Sequence, residues 1–103
     1  MSFVKTISEI ELEEGKPLKV TLEGEEIAIF KEKGNIYATS DKCAHKGGPL
    51  SKGKLSDFVI TCPWHGMRYD IRTGKAAPDA WDSSFSIKSF NTKIEDGFVF
   101  VEI

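Results

Sequence analysis

Apolar and polar residues alternate along much of this chain. In Leu18-Lys19-Val20-Thr21-Leu22 every second residue is apolar, the period of a strand with one buried face. Further β-leaning runs cover Phe3 to Ile7, Glu26 to Lys31, Asn35 to Thr39, Phe58 to Thr61, Met67 to Ile71, Phe85 to Phe90 and Phe98 to Ile103. Turn formers separate them at Glu14-Gly15, Glu23-Gly24, Gly34-Asn35, Gly47-Gly48-Pro49, Gly53, Gly66, Gly74 and Asp96-Gly97. Asp96-Gly97, between Thr92-Lys93-Ile94-Glu95 and Phe98-Val99-Phe100-Val101, is a strong hairpin signal. Only Ser8 to Leu12 hints at a helical turn, with Ser8 as its cap. Short strands at this spacing predict an all-β fold, an antiparallel sandwich or small barrel. Trp81, Phe85 and Phe90 are expected in its core.

At 103 residues the chain is expected to form one domain over 1–103. Residues 41 to about 67 interrupt the strand pattern, and a subdomain of two loops on the β scaffold is expected over about 41–80. The 14 basic and 16 acidic residues are mixed along the chain, for a net charge of −2. That balance lacks the basic stripe of a nucleic-acid binder and the polybasic patch of a membrane anchor. No apolar run approaches a membrane span, and the acidic MSFVKTISEIELEEG does not read as a signal peptide. The expectation is a cytoplasmic protein with no membrane anchor, most simply a monomer.

The only two cysteines and two histidines form two mixed pairs, Cys43-Ala44-His45 and Cys62-Pro63-Trp64-His65. A single disulfide would leave the histidine spacing unexplained, and in a reducing compartment such cysteines more often bind metal than pair. Four Cys and His ligands suit a tetrahedral zinc site by number. The spacing suits it less, because zinc knuckles usually pair cysteine with cysteine and histidine with histidine. A two-iron cluster explains the mixture: in a Rieske [2Fe–2S] centre two histidines replace two cysteines on one iron. If each loop supplies one of each, each loop touches both irons.

The spacing C-x-H, sixteen residues, then C-x-x-H resembles the signature of Rieske-type ferredoxins, with the nearest resemblance expected to the small archaeal members. The resemblance extends through His45-Lys46-Gly47-Gly48-Pro49-Leu50 and through Cys62-Pro63-Trp64-His65-Gly66-Met67-Arg68-Tyr69-Asp70 with Thr73-Gly74, and it covers nearly the whole chain. It implies a [2Fe–2S] cluster, one per chain, held by Cys43, His45, Cys62 and His65. Around these ligands it places Lys46, Gly47, Gly48, Trp64, Gly66, Met67 and Tyr69, and Pro78 in a third loop that shields the cluster.

The resemblance also implies a subclass. High-potential members carry a further cysteine in each loop, joined as a disulfide; here Gly48 and Trp64 stand in those places. Those members set a serine hydroxyl near a bridging sulfide, where this chain has Met67, and a tyrosine near a cysteine sulfur, where it keeps Tyr69. Hydrogen bonds to sulfur raise the potential, so a position toward the low end of a range of roughly −150 to +300 mV is expected. The implied function is one-electron transfer, with the electron on the histidine-bound iron, between a donor and an acceptor such as a reductase and an oxygenase. The alternative within the family is the ferredoxin component of an aromatic-ring-hydroxylating system. The chain itself holds no mononuclear-iron triad, since both histidines are already used. A cluster-free structural subunit of the same fold is the reading from another class, and the intact ligand set argues against it.

Overall fold

The computed structural model describes residues 2–44, 47–64 and 66–103. Within them lie ten strands: β1 (Phe3–Ser8), β2 (Leu18–Leu22), β3 (Glu25–Glu32), β4 (Asn35–Ser40), β5 (Lys54–Ser56), β6 (Val59–Thr61), β7 (Arg68–Asp70), β8 (Ser89–Phe90), β9 (Thr92–Glu95) and β10 (Phe98–Glu102). They form three antiparallel sheets, ordered β1-β10-β9, β2-β3-β4-β8 and β5-β6-β7. The all-β antiparallel architecture read from the alternation is therefore the one observed. Ser8 to Leu12 gives one 3₁₀ turn at Glu9–Glu11, where the Ser8 backbone N–H donates to the Glu11 carboxylate at 3.1 Å. Among the described residues no helix is long and apolar enough to cross a membrane.

β3 sets the layering. Its four consecutive residues Ile27-Ala28-Ile29-Phe30 are all fully buried, so the strand is covered on both faces and reads as a continuous apolar run. Alternation divides them between two cores. Ile27 and Ile29 join Leu12, Ala38, Phe90, Val99 and Val101, where the first two sheets face one another. Ala28 and Phe30 point the other way, into a core with Leu50, Ile60, Met67, Tyr69, Ile71, Ile87 and both cysteines. One strand thus forms the wall shared by the scaffold and the cysteine-bearing layer. Each large side chain buried there contributes about 1.5–3 kcal/mol.

Four hairpins close on two-residue turns with both residues at positive φ, the type I′ geometry that matches strand twist. Three carry glycine second: Glu23-Gly24, Lys33-Gly34 and Asp96-Gly97. The fourth, Asp57-Phe58 between β5 and β6, has φ of 49° and 66° and no glycine. Phe58 was expected to open a strand, but it sits in this turn. Its ring meets Tyr37 edge-on at 5.8 Å and lies under the Arg72 guanidinium at 4.5 Å. Its backbone N–H donates to the Glu32 carboxylate at 3.2 Å, and its carbonyl accepts from Ile71 at 2.9 Å. These contacts offset the cost of the left-handed backbone.

Two other expectations change. The run Phe85 to Phe90 is strand only at Ser89–Phe90. Upstream, the Asp82 carboxylate accepts the backbone N–H and the hydroxyl of Ser84, at 2.9 and 2.6 Å, a local turn that competes with strand pairing. Trp81 is not core: it is 54% exposed, its ring edge-on to Phe85 at 6.1 Å. Phe85 is half-buried and Phe90 buried.

Candidate metal centre

Cys43 and Cys62 are both buried thiols, 3% and 1% exposed, packed into the same core. Each opens a loop tip of the same construction. In the first, the Cys43 N–H donates to the Gly48 carbonyl at 2.9 Å, and the Gly47 N–H returns to the Cys43 carbonyl at 2.8 Å. In the second, the Cys62 N–H donates to the Met67 carbonyl at 2.7 Å, and the Gly66 N–H returns to the Cys62 carbonyl at 3.1 Å. The fifth residue of each tip is a glycine with left-handed backbone, Gly47 at φ +75° and Gly66 at φ +72°. A side chain at either would meet nothing within 4 Å, so the demand for glycine there is conformational. The tips align as Cys-Ala-His-Lys-Gly-Gly and Cys-Pro-Trp-His-Gly-Met, which explains the unequal C-x-H and C-x-x-H spacings: the turn is constant and the histidine moves by one place.

His45, Lys46 and His65 lie outside the described residues. Among the described residues no three metal-ligating side chains converge, and the described part of the centre is the cysteine pair with its supports.

Those supports are specific. The Tyr69 hydroxyl, fully buried, lies 3.2 Å from Cys43 Sγ and accepts the Ala44 backbone N–H at 3.1 Å. The hydroxyl and the thiol are within hydrogen-bonding distance, and once Cys43 is a metal-bound thiolate the phenol is the partner with a proton to donate. Met67 is fully buried and packs in the core beneath the second tip. Asp41 was not foreseen. It is 1% exposed; its carboxylate accepts the Ser51 N–H at 2.7 Å and its carbonyl the Leu50 N–H at 2.6 Å, closing the first loop at its base. Its place directly after β4 and two residues before Cys43 is a weak signal that does not by itself predict a buried carboxylate.

The segment after the second loop is strapped to β7. Ala76 bridges to Tyr69, the Ala77 N–H donates to the Arg68 carbonyl at 2.9 Å, and Arg68 Nε stands 3.2 Å from the Asp79 carboxylate. Pro78 is exposed on this strap, one residue beyond buried Ala77. Below it, Arg72 donates to the Asp70 carboxylate at 2.9 and 3.0 Å, and these hydrogen bonds hold the Asp70 carboxyl below its usual range.

The profile of the Rieske [2Fe-2S] domain matches residues 2–90, through both loop tips and most of the scaffold. The chain belongs to the Rieske [2Fe-2S] domain family. Its cofactor is a Rieske-type [2Fe–2S] cluster and its function is electron transfer. It is 35% identical over 105 residues to the naphthalene 1,2-dioxygenase system ferredoxin component of Pseudomonas putida, covering 100% of this chain and 97% of that one. The fold superposes on the Sphingomonas yanoikuyae B1 ferredoxin with a TM-score of 0.90 at 28% identity, over 99% of each chain. It also matches the chain in a complex of reduced oxygenase and oxidized ferredoxin in carbazole 1,9a-dioxygenase, with a TM-score of 0.88 at 27% identity, over 96% of this chain and 100% of that one.

The residues present fit such a cluster. Two thiols on matching turns share one apolar core, and a phenol hydroxyl lies 3.2 Å from one of them. From that geometry, Tyr69→Phe in this Rieske domain is expected to lower the midpoint potential by tens of millivolts, where about 59 mV is a tenfold change in a one-electron equilibrium. Protein-film voltammetry of the two proteins checks this; an unchanged or higher potential would mean the hydroxyl does not serve the sulfur.

Proposed function

We propose that this protein is a soluble, monomeric, cytoplasmic one-electron carrier rather than an enzyme. Cys43 and Cys62 hold one iron of the cluster, and His45 and His65 hold the other. The segment over about 41–80 acts as the cluster-binding subdomain of a single domain spanning 1–103. The observation that carries this reading is the pair of buried thiols on two backbone turns of one design, with the Tyr69 hydroxyl on Cys43 Sγ. When bound, the cluster supplies a one-electron couple. The chain's own residues do the rest. The core around Phe30, Leu50 and Ile60 keeps water from the sulfur side, Tyr69 stabilises the thiolate of Cys43, and Asp41 fixes the first loop to the end of β4.

The donor is a reductase and the acceptor an oxygenase of an aromatic-ring-hydroxylating system. End-to-end similarity to ferredoxin components of such systems supports this finer assignment. The test joins two measurements. A redox titration is expected to place the midpoint in the lower part of the Rieske span, below about +150 mV. The loaded protein is then expected to restore ring hydroxylation to purified reductase and oxygenase components that lack their ferredoxin. A midpoint above that value rejects the low-potential assignment. Failure to accept electrons from any such reductase rejects the partner assignment.

A further inference from the structure

Gly48 differs from its neighbour Gly47. Its φ lies outside the left-handed region, so its backbone admits any residue, yet it is buried and has no room for a side chain. A Cβ at Gly48 would stand 2.9 Å from Cys62 Sγ and 3.0 Å from both Cγ and Cδ2 of Trp64. The five-membered ring of the indole therefore lies directly on the Gly48 backbone. Gly48 belongs to the first loop, where its carbonyl accepts the Cys43 N–H at 2.9 Å. Trp64 and Cys62 belong to the second. Among the described residues, Gly48 of the first tip thus lies against both Trp64 and Cys62 of the second. Trp64 is nevertheless 57% exposed: one face is on Gly48 and much of the rest meets solvent.

We infer that Trp64 is a positioning residue, whose indole clamps the second loop onto Gly48 of the first, fixes the separation of Cys43 and Cys62, and screens the Cys62 sulfur from water. Gly48 is then the backbone that both the indole and the Cys62 sulfur approach, while the Tyr69 hydroxyl stands 3.2 Å from Cys43 Sγ. This rests on the reading that both cysteines hold the cluster. It assigns Trp64 a task other than partner contact, which its exposure alone would suggest. It also explains why glycine is needed at 48 for space and at 47 for conformation.

The experiment uses the loaded full chain in a Trp81→Phe background, so that Trp64 is the sole indole of two. Loss of visible absorbance under an iron chelator and quenching of Trp64 fluorescence by acrylamide are followed for this parent, Trp64→Phe, Trp64→Ala and Gly48→Ala. The absorbance of Trp64→Ala is expected to bleach about 10–100-fold faster than the parent, the usual cost of losing a support of a metal ligand. Trp64→Phe, which keeps an aromatic face, stays near the parent rate. Gly48→Ala bleaches fast, and acrylamide quenches its Trp64 more strongly because the added methyl lifts the ring. The inference is overturned if Trp64→Ala bleaches at the parent rate, or if Trp64→Phe is as fast as Trp64→Ala. Should Gly48→Ala not fold, the Ala and Phe variants at 64 decide alone. A parent that binds no cluster removes the reading beneath the inference and the inference with it, and that result differs from a loaded parent whose variants behave alike.

Discussion

Serine at Cys43 or at Cys62 is expected to yield a protein that folds but holds almost no cluster. Serine is close in size to cysteine, so the loop turns, which are built from backbone hydrogen bonds, remain available. What is lost is the thiolate, the form in which cysteine binds a metal. Loss of a ligand exceeds loss of a support, and supports already cost about 10–100-fold in metal affinity. Iron per chain and visible absorbance, measured after anaerobic purification, should both fall by more than that. The apoproteins should also melt lower than the loaded parent, because a cluster bound only by the folded state stabilises it. Full iron content in either variant would remove that cysteine from the ligand set.

Phe30→Ala is expected to destabilise the fold by about 3–5 kcal/mol, the usual cost of emptying a buried phenylalanine site. Phe30 is completely buried on the face of β3 that carries the cysteine core, in one cluster with Leu50, Ile60 and Tyr69. The cavity would open under both loop tips. A domain of this size has only about 5–15 kcal/mol in total, so the variant should stand near its unfolding threshold. Urea melts followed by circular dichroism measure the change. Trp81→Ala is the internal comparison: more than half exposed, it should alter stability by no more than about 0.5 kcal/mol. Equal losses at the two positions would mean that the core is not where Phe30 places it.

What could be read from the chain follows from which interactions are local. Strands β2, β3, β4 and β10 were legible because an alternating pattern, or in β3 a continuous apolar run, lies beside a two-residue turn ending in glycine. β5 was not, since Lys54-Leu55-Ser56 is too short and polar to signal a strand and its turn, Asp57-Phe58, lacks glycine. That turn is held by Tyr37, Arg72 and Glu32, all distant in sequence. Trp81 was expected inside on its size alone, but the Asp82–Ser84 turn keeps its segment on the surface. In the centre, both cysteine tips were legible because each is a six-residue motif with its glycine in place. Asp41 and the Gly48–Trp64 contact were not, because a buried carboxylate closing a loop and a side chain seated on another loop's backbone exist only once the chain is folded.

The central claim is that the cysteine and histidine pairs hold a two-iron cluster rather than a single metal ion. Electron paramagnetic resonance of the dithionite-reduced protein at low temperature, with metal analysis of the same sample, tests it most directly. The account predicts two irons per chain and a rhombic signal whose average g value falls below that of the free electron, as mixed imidazole and thiolate ligation gives. A colourless, resonance-silent protein carrying one zinc per chain after anaerobic expression would contradict it.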